Sequence, residues 1–270
     1  MIKRCLLRCA LPALVFGLMA LLPAAASAFW SPVFTDTFQW DLEQPVQLGV
    51  DASVYDIDLF ANPATVVSKL HQLNRHVICY IDMGSWESYR PDAKEYPKII
   101  LGRRYPGYPQ ERFVDIRRLD LLGPILARRL DLCRSKGFDA VEPDNIDTYQ
   151  ANTGFPLTYA DQLTFNRWLV TQAHQRNLSI GQKNDPAQVS DLVGAFDWAL
   201  LEECFYGRFC ERFSPYVTSG KVVFDTEYRN DTSLATFLNR DCAAARPLSF
   251  YLIYKKLNLD AYRVICPPSH

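Results

Sequence analysis

Short apolar runs recur along this chain, and nearly every one closes on an acid, a tyrosine or a lysine. They fall at 46–51 (VQLGVD), 77–82 (VICYID), 113–116 (FVDI), 137–147 (GFDAVEPDNID), 178–183 (LSIGQK), 198–202 (WALLE), 222–227 (VVFDTE) and 250–254 (FYLIY). Runs this short and this apolar predict buried strands. Between them, apolar residues take helical spacing: 62–73 with Pro63 in the first turn, 121–134, 158–177, 186–193 and 234–242. In 158–177, Leu163, Trp168 and Leu169 mark the inner stripe. The aromatic segment 29–44 reads as irregular, wrapping the outside of the domain or plugging one end.

Strands alternating with helices imply parallel pairing. Eight such units in about 240 residues predict an α/β fold, a (β/α)8 TIM barrel, in a single domain spanning 29–270. A doubly wound open sheet is the competing fold. It requires a glycine-rich phosphate loop after the first strand, where this chain carries the acidic GVDASVYDID.

The first 28 residues read as a cleaved signal peptide. Lys3, Arg4 and Arg8 form a positive start, an apolar run follows, and Ala26-Ser27-Ala28 is a cleavage site. The apolar run is too short for a membrane span, so a secreted or periplasmic protein is expected, without stable membrane insertion. Cleavage removes three bases and no acids. It leaves 26 Lys+Arg against 30 Asp+Glu, a net charge of −4. That balance argues against nucleic acid as a partner and suits a cationic ligand. A monomer is expected.

Six cysteines remain after the leader: Cys79, Cys133, Cys204, Cys210, Cys242 and Cys266. In an exported chain they suggest disulfides. Cys204–Cys210, closing CFYGRFC, is the first expected pair and Cys242–Cys266 the second. Cys79, inside an apolar run, is expected as a free buried thiol. No spacing suggests zinc, and no metal or cofactor is expected.

The strand ends carry the candidate chemistry: Asp51, Asp82, Asp115, then Glu142 with Asp144, then Lys183, Asn184 and Asp185, then Glu202 with Glu203, then Asp225 with Glu227, and Tyr254 with Lys255. A barrel collects such residues at one rim. In a strand, residues two apart share a face, so Glu142 and Asp144 point the same way. Two carboxylates on one face repel, which marks a ligand site more readily than a stabilising feature. Pro143, Asp144 and Asn145 also suit a plain hydrogen-bonded turn. Carboxylates without ligating histidines suit glycoside hydrolysis, where one carboxyl protonates the leaving oxygen and another attacks or activates water. Trp86, Tyr89, Tyr149, Phe205, Tyr206 and Tyr228 follow strands and are candidate sugar platforms. Two other function classes compete: a non-catalytic polysaccharide-binding barrel, and a metal-dependent hydrolase in which Glu142, Asp144 and Asp147 hold a hard cation.

Six blocks in this order, GVDASVYDIDLF, CYIDMGSWESYR, GFDAVEPDNIDTY, GQKND, EECF and VFDTEY, resemble glycoside hydrolase family 114, the endo-α-1,4-polygalactosaminidases and their relatives. The resemblance runs over nearly all of the chain beyond the leader. It implies a TIM-barrel-like domain and cleavage of an α-1,4-linked galactosamine/N-acetylgalactosamine-rich exopolysaccharide of the biofilm-matrix type. Its catalytic pair falls on Asp144 and Glu202. Glu142 and Glu203 are the alternatives within the same blocks. If Trp198 and Leu200 face inward, Glu202 does too and Glu203 faces the helices. The expected substrate-binding set is Asp51, Tyr80, Asp82, Glu87, Glu142, Asn145, Lys183, Asn184, Asp225, Glu227, Tyr228 and Tyr254. In it, Asp51, Asp82 and Glu87 neutralise substrate amino groups. Lys183 and Asn184 bind hydroxyls or lower a neighbouring carboxyl's pKa.

Overall fold

The aromatic segment near the start, rather than VQLGVD, supplies the first barrel strand. In the computed structural model, which describes residues 29–266, the strands are β1 (Phe38–Trp40), β2 (Val54–Asp58), β3 (His76–Asp82), β4 (Ser85–Glu87), β5 (Leu101–Tyr105), β6 (Tyr108–Val114), β7 (Ala140–Asp144), β8 (Ser179–Lys183), β9 (Trp198–Glu202), β10 (Val223–Tyr228), β11 (Tyr251–Lys255) and β12 (Val264–Ile265). The main helices are α1 (Ala64–Gln72), α2 (Leu119–Lys136) and α3 (Tyr159–His174). The expected leader, 1–28, lies outside the described residues.

Eight strands pair in parallel in the order β1-β2-β3-β7-β8-β9-β10-β11. The sheet curls into a (β/α)8 barrel-like fold, with β12 added antiparallel to β11. Phe38 of β1 stacks across the lumen on Phe224 of β10 with ring centroids 4.4 Å apart, joining the first strand to the far side of the sheet. The tail bridges the remaining gap: the Arg263 guanidinium donates to the Phe38 carbonyl, and Gln39 Nε2 donates to the Ala261 carbonyl at 3.4 Å.

Strand parity divides the molecule into layers. Alternate residues such as Trp40, Val54, Ile78, Trp198 and Phe224 fill the lumen. Their neighbours, among them Tyr55, Val77, Val141, Leu201 and Val223, pack outward under the helices. Trp198 is, with Trp40, one of the two tryptophans that plug the lumen, and Gly181 opposite it has no alternative. A Cβ there would sit 2.6 Å from the Trp198 ring, far inside van der Waals contact.

Two expected strands are corrected. The 46–51 run is a loop. Val46, Leu48 and Val50 are half-buried against the outer layer, while Gln47, Gly49 and Asp51 face solvent and pair with no strand. The true strand, VYDID, is buried on both faces, with its acids turned into the lumen, where sequence patterning does not anticipate them. The 113–116 run ends β6, which belongs to a separate antiparallel sheet in the order β4-β6-β5. This sheet is inserted between β3 and α2 and stands beside the barrel mouth.

A third correction concerns Cys79. It faces outward from β3 and meets Cys133 on the buried face of α2, forming a disulfide with a Cα–Cα distance of 6.1 Å. Cys204–Cys210 and Cys242–Cys266 are bonded as expected. No helix among the described residues is long and apolar enough to cross a membrane.

Candidate active site

The C-terminal ends of the strands open into a cleft of about 750 Å³, bounded on one side by the inserted sheet. That volume lies within the usual range for ligand sites. The chain turns sharply as it leaves the strands that build its floor. Asn145, Asn184 and Glu203, each immediately after a strand, have φ of 60°, 44° and 55°. Asparagine tolerates this left-handed conformation; glutamate does so at a cost of roughly 1–2 kcal/mol. The turn after β7 is also pinned by close approach: a Cβ on Gly84 would sit 1.6 Å from the Asn145 carbonyl oxygen.

Lys183 is the centre of the floor. It ends β8 and is buried. Its ammonium lies 2.7 Å from Glu142 Oε1, 2.9 Å from Asp144 Oδ1 and 3.0 Å from Glu202 Oε2. It also stands 4.6 Å from the centre of the Trp40 ring, a cation–π contact. The Asp144 and Glu202 oxygens that share this nitrogen are therefore no more than about 5.9 Å apart. This is close enough for two carboxyls to flank one glycosidic bond, which takes ~5 to 9.5 Å. Lys183 also fills the place between Glu142 and Asp144 that the metal reading gave to a hard cation.

Asp144 is held as an anion. Burial pushes its carboxyl up, but the Lys183 ammonium and its hydrogen bond outweigh this, with help from the Asn145 N–H at 2.9 Å and the Tyr80 hydroxyl at 3.0 Å, so its pKa lies below the ordinary value. Glu202 accepts a hydrogen bond from the Tyr228 hydroxyl, and its backbone N–H donates to Asn184 Oδ1 at 3.0 Å. Their side chains are 21% and 28% exposed, so a substrate in the cleft reaches both.

Two carboxyls this close at the floor of a cleft could act as a pair on one bond. The sequence model of glycoside-hydrolase family GH114 matches residues 19–269. The chain belongs to this family. It is a glycoside hydrolase. Among solved structures, it is similar to the crystal structure of Aspergillus fumigatus Ega3 in complex with galactosamine, with 32% identity and a TM-score of 0.83, covering 88% of this chain and 97% of that one. The glycoside hydrolase domain of PelA from Pseudomonas aeruginosa shares the fold at 12% identity, with a TM-score of 0.64 and coverage of 85% and 97%. No curated protein matches the chain.

In this GH114 member, Tyr80, Asp144, Asn145, Lys183, Asn184 and Glu202 all line the cleft. Tyr228 and Glu142 lie just behind them, touching Glu202 and Lys183. Six other expected residues do not line it. Asp51 is exposed in the corrected loop. Asp82 is buried and binds Ser85 and Asn145 Nδ2, fixing the turn after β7. Glu87 is buried and takes the Tyr89 hydroxyl at 2.6 Å and Arg90 Nε at 2.7 Å. Asp225 and Glu227 point outward from β10 because they alternate with the lumen residues Phe224 and Tyr228. They accept backbone N–H groups of Cys204 and Phe205 and shape the loop after β9. Tyr254 is buried against Phe237 and donates to the Thr232 carbonyl.

Of the candidate platforms, Tyr89 lines the cleft. Trp86 donates to the Ala93 carbonyl, Tyr149 binds Asp185, and Phe205 packs into the core. The inserted sheet adds Tyr105, Tyr108 and Glu111, none of which had been singled out, and β2 adds Asp58. Asp58 is paired with Arg90 at 2.7 Å. Glu111 and Asp147 have no ion-pair partner among the described residues. Burial, and then Glu87 and Asp144 respectively, raise them to about 7 and about 6.

Proposed function

We propose that this GH114 enzyme cleaves a galactosamine-rich polysaccharide, with Asp144 and Glu202 as its catalytic pair. The observation that carries this reading is the single Lys183 ammonium touching both carboxylates at the floor of the cleft. Asp144, held ionised, acts as nucleophile or as base toward water; Glu202 protonates the leaving oxygen. The Tyr228 hydroxyl on Glu202 Oε1 leaves Oε2 to Lys183 and so orients the group. Glu111 and Asp147 are the cleft acids available to a substrate ammonium, the role first expected of Asp51, Asp82 and Glu87. The galactosamine in the Ega3 complex supports the same substrate class. We further propose an exported monomer: removal of 1–28 leaves one domain, 29–270, whose three disulfides suit an oxidising compartment.

The test is incubation of purified 29–270 with a partly deacetylated galactosamine polymer, its fully N-acetylated form and an uncharged galactan, followed by chromatography of released oligosaccharides. Release from the deacetylated polymer, with none from the galactan, is expected. Cleavage confined to the galactan would overturn the substrate class.

A further inference from the structure

Behind the catalytic floor lies a second pair of acids that the cleft does not explain. Asp56 on β2 and Glu142 on β7 both point into the lumen and are fully buried. Glu142 stands one inward position below Asp144 on the same strand and binds Lys183 through Oε1. Its Oε2, and both oxygens of Asp56, meet no N–H or O–H donor. The two carboxyls instead face each other within hydrogen-bonding reach.

Two bare carboxylates in contact in a dry interior are strongly disfavoured. One proton between them turns the repulsion into a short charge-assisted hydrogen bond. The groups around the pair are Tyr80 from β3, Asp144 from β7, Lys183 from β8, Glu202 from β9 and Tyr228 from β10. Of these, only Lys183 is cationic, and it already serves three carboxylates. It cannot neutralise a fourth.

We propose that Asp56 and Glu142 share one proton and serve as positioning residues: the pair seats Lys183, and Lys183 holds Asp144 and Glu202 at their working separation. The proposal rests on the reading of Asp144 and Glu202 as the catalytic pair. Burial, then the neighbouring acids, raise the Asp56 carboxyl well above its ordinary value; burial also raises Glu142, to about 7, against the pull of Lys183. The shared proton is therefore present at neutral pH and is lost as pH rises. Its loss places two negative charges against Lys183 on the lumen side. That draws the ammonium away from Asp144 and Glu202, and turnover falls on the alkaline side.

The experiment measures kcat and KM against pH on the deacetylated polymer for wild type, Asp56→Ala and Asp56→Asn. Infrared spectra of the same proteins report the carbonyl band of a protonated carboxylic acid. Asp56→Ala is expected to lower kcat about tenfold or more while KM stays within about threefold. In Asp56→Asn an amide donates a hydrogen to Glu142 at every pH. It should recover most of that loss and move the alkaline limb of kcat upward by about one pH unit or more. The acid carbonyl band at neutral pH should be smaller in Asp56→Asn than in wild type by the contribution of one carboxylic acid, since other raised acids such as Glu111 absorb equally in both. An alanine variant with wild-type kcat, an asparagine profile overlaying the wild-type limb, or an unchanged band would each overturn the shared proton. If the alanine variant does not fold, the asparagine profile and the band decide alone. Turnover by Asp144→Asn or Glu202→Gln would instead overturn the catalytic pair, and the infrared band would still judge Asp56 and Glu142.

Discussion

Replacing Lys183 with methionine removes the one cation at the floor of the cleft while keeping most of the side-chain volume. The perturbation is large because Lys183 is 2% exposed and touches three carboxylates at 2.7, 2.9 and 3.0 Å. Removing one partner of a buried ion pair costs roughly 3–5 kcal/mol, because the other is left unpaired. At ~2–4 °C per kcal/mol for a chain of this size, Tm falls by roughly 6–20 °C at neutral pH. In wild type the Asp144 pKa is depressed. Its stabilisation is fully present above the ordinary carboxylate value of about 3.9 and is lost as pH falls through the folded value. In Lys183→Met the sign reverses. Burial now dominates, Asp144 is raised, and the variant regains stability as pH falls. The Tm gap between the two proteins should therefore be widest at neutral pH and narrow toward about pH 5. Differential scanning calorimetry across that range measures it. A variant within about 2 °C of wild type at neutral pH, or a gap that does not change with pH, would refute the reasoning.

Other substitutions probe other parts of the account. Tyr228→Phe removes the hydroxyl donor to Glu202 and should lower kcat about tenfold with little change in KM, the size of one lost hydrogen bond; steady-state kinetics on the deacetylated polymer reads the split. Asp147→Asn together with Glu111→Gln should raise KM for the deacetylated polymer several-fold, about 1 kcal/mol, and leave KM for the N-acetylated form unchanged if that form is cleaved. Replacing both Cys79 and Cys133 with alanine opens a loop closed across 54 residues and should cost about 4 kcal/mol by chain entropy, measured as a lower urea midpoint.

Much of the barrel is legible because its strands alternate with helices and end in polar residues. WALLE is the clearest instance: its predicted bounds are those of β9, and its parity turns Glu202 inward and Glu203 away from the cleft. Legibility fails where a side chain's environment contradicts its chemistry. VYDID is too acidic to read as a buried strand, because nothing local announces that Asp56 and Asp58 face a polar lumen. VQLGVD alternates as a strand should, yet it only coats the outside. Parity, applied to VFDTEY, places Asp225 and Glu227 on the outward face, so treating every strand-end acid as a cleft acid counts too many. Tyr105, Tyr108 and Glu111 come from an inserted sheet that a strand-and-helix rhythm absorbs into a crossover. Cys79 reads as a free thiol because its partner lies on a helix 54 residues away, and pairing is a property of the packed layers.

The central claim is that Asp144 and Glu202 together break the glycosidic bond. The most direct measurement is the rate of reducing-end release from the deacetylated galactosamine polymer by wild type, Asp144→Asn and Glu202→Gln, with Tm recorded for each. The account predicts two folded variants, each slowed by about 10²–10⁴-fold or more. Folded variants that cleave at the wild-type rate would contradict it.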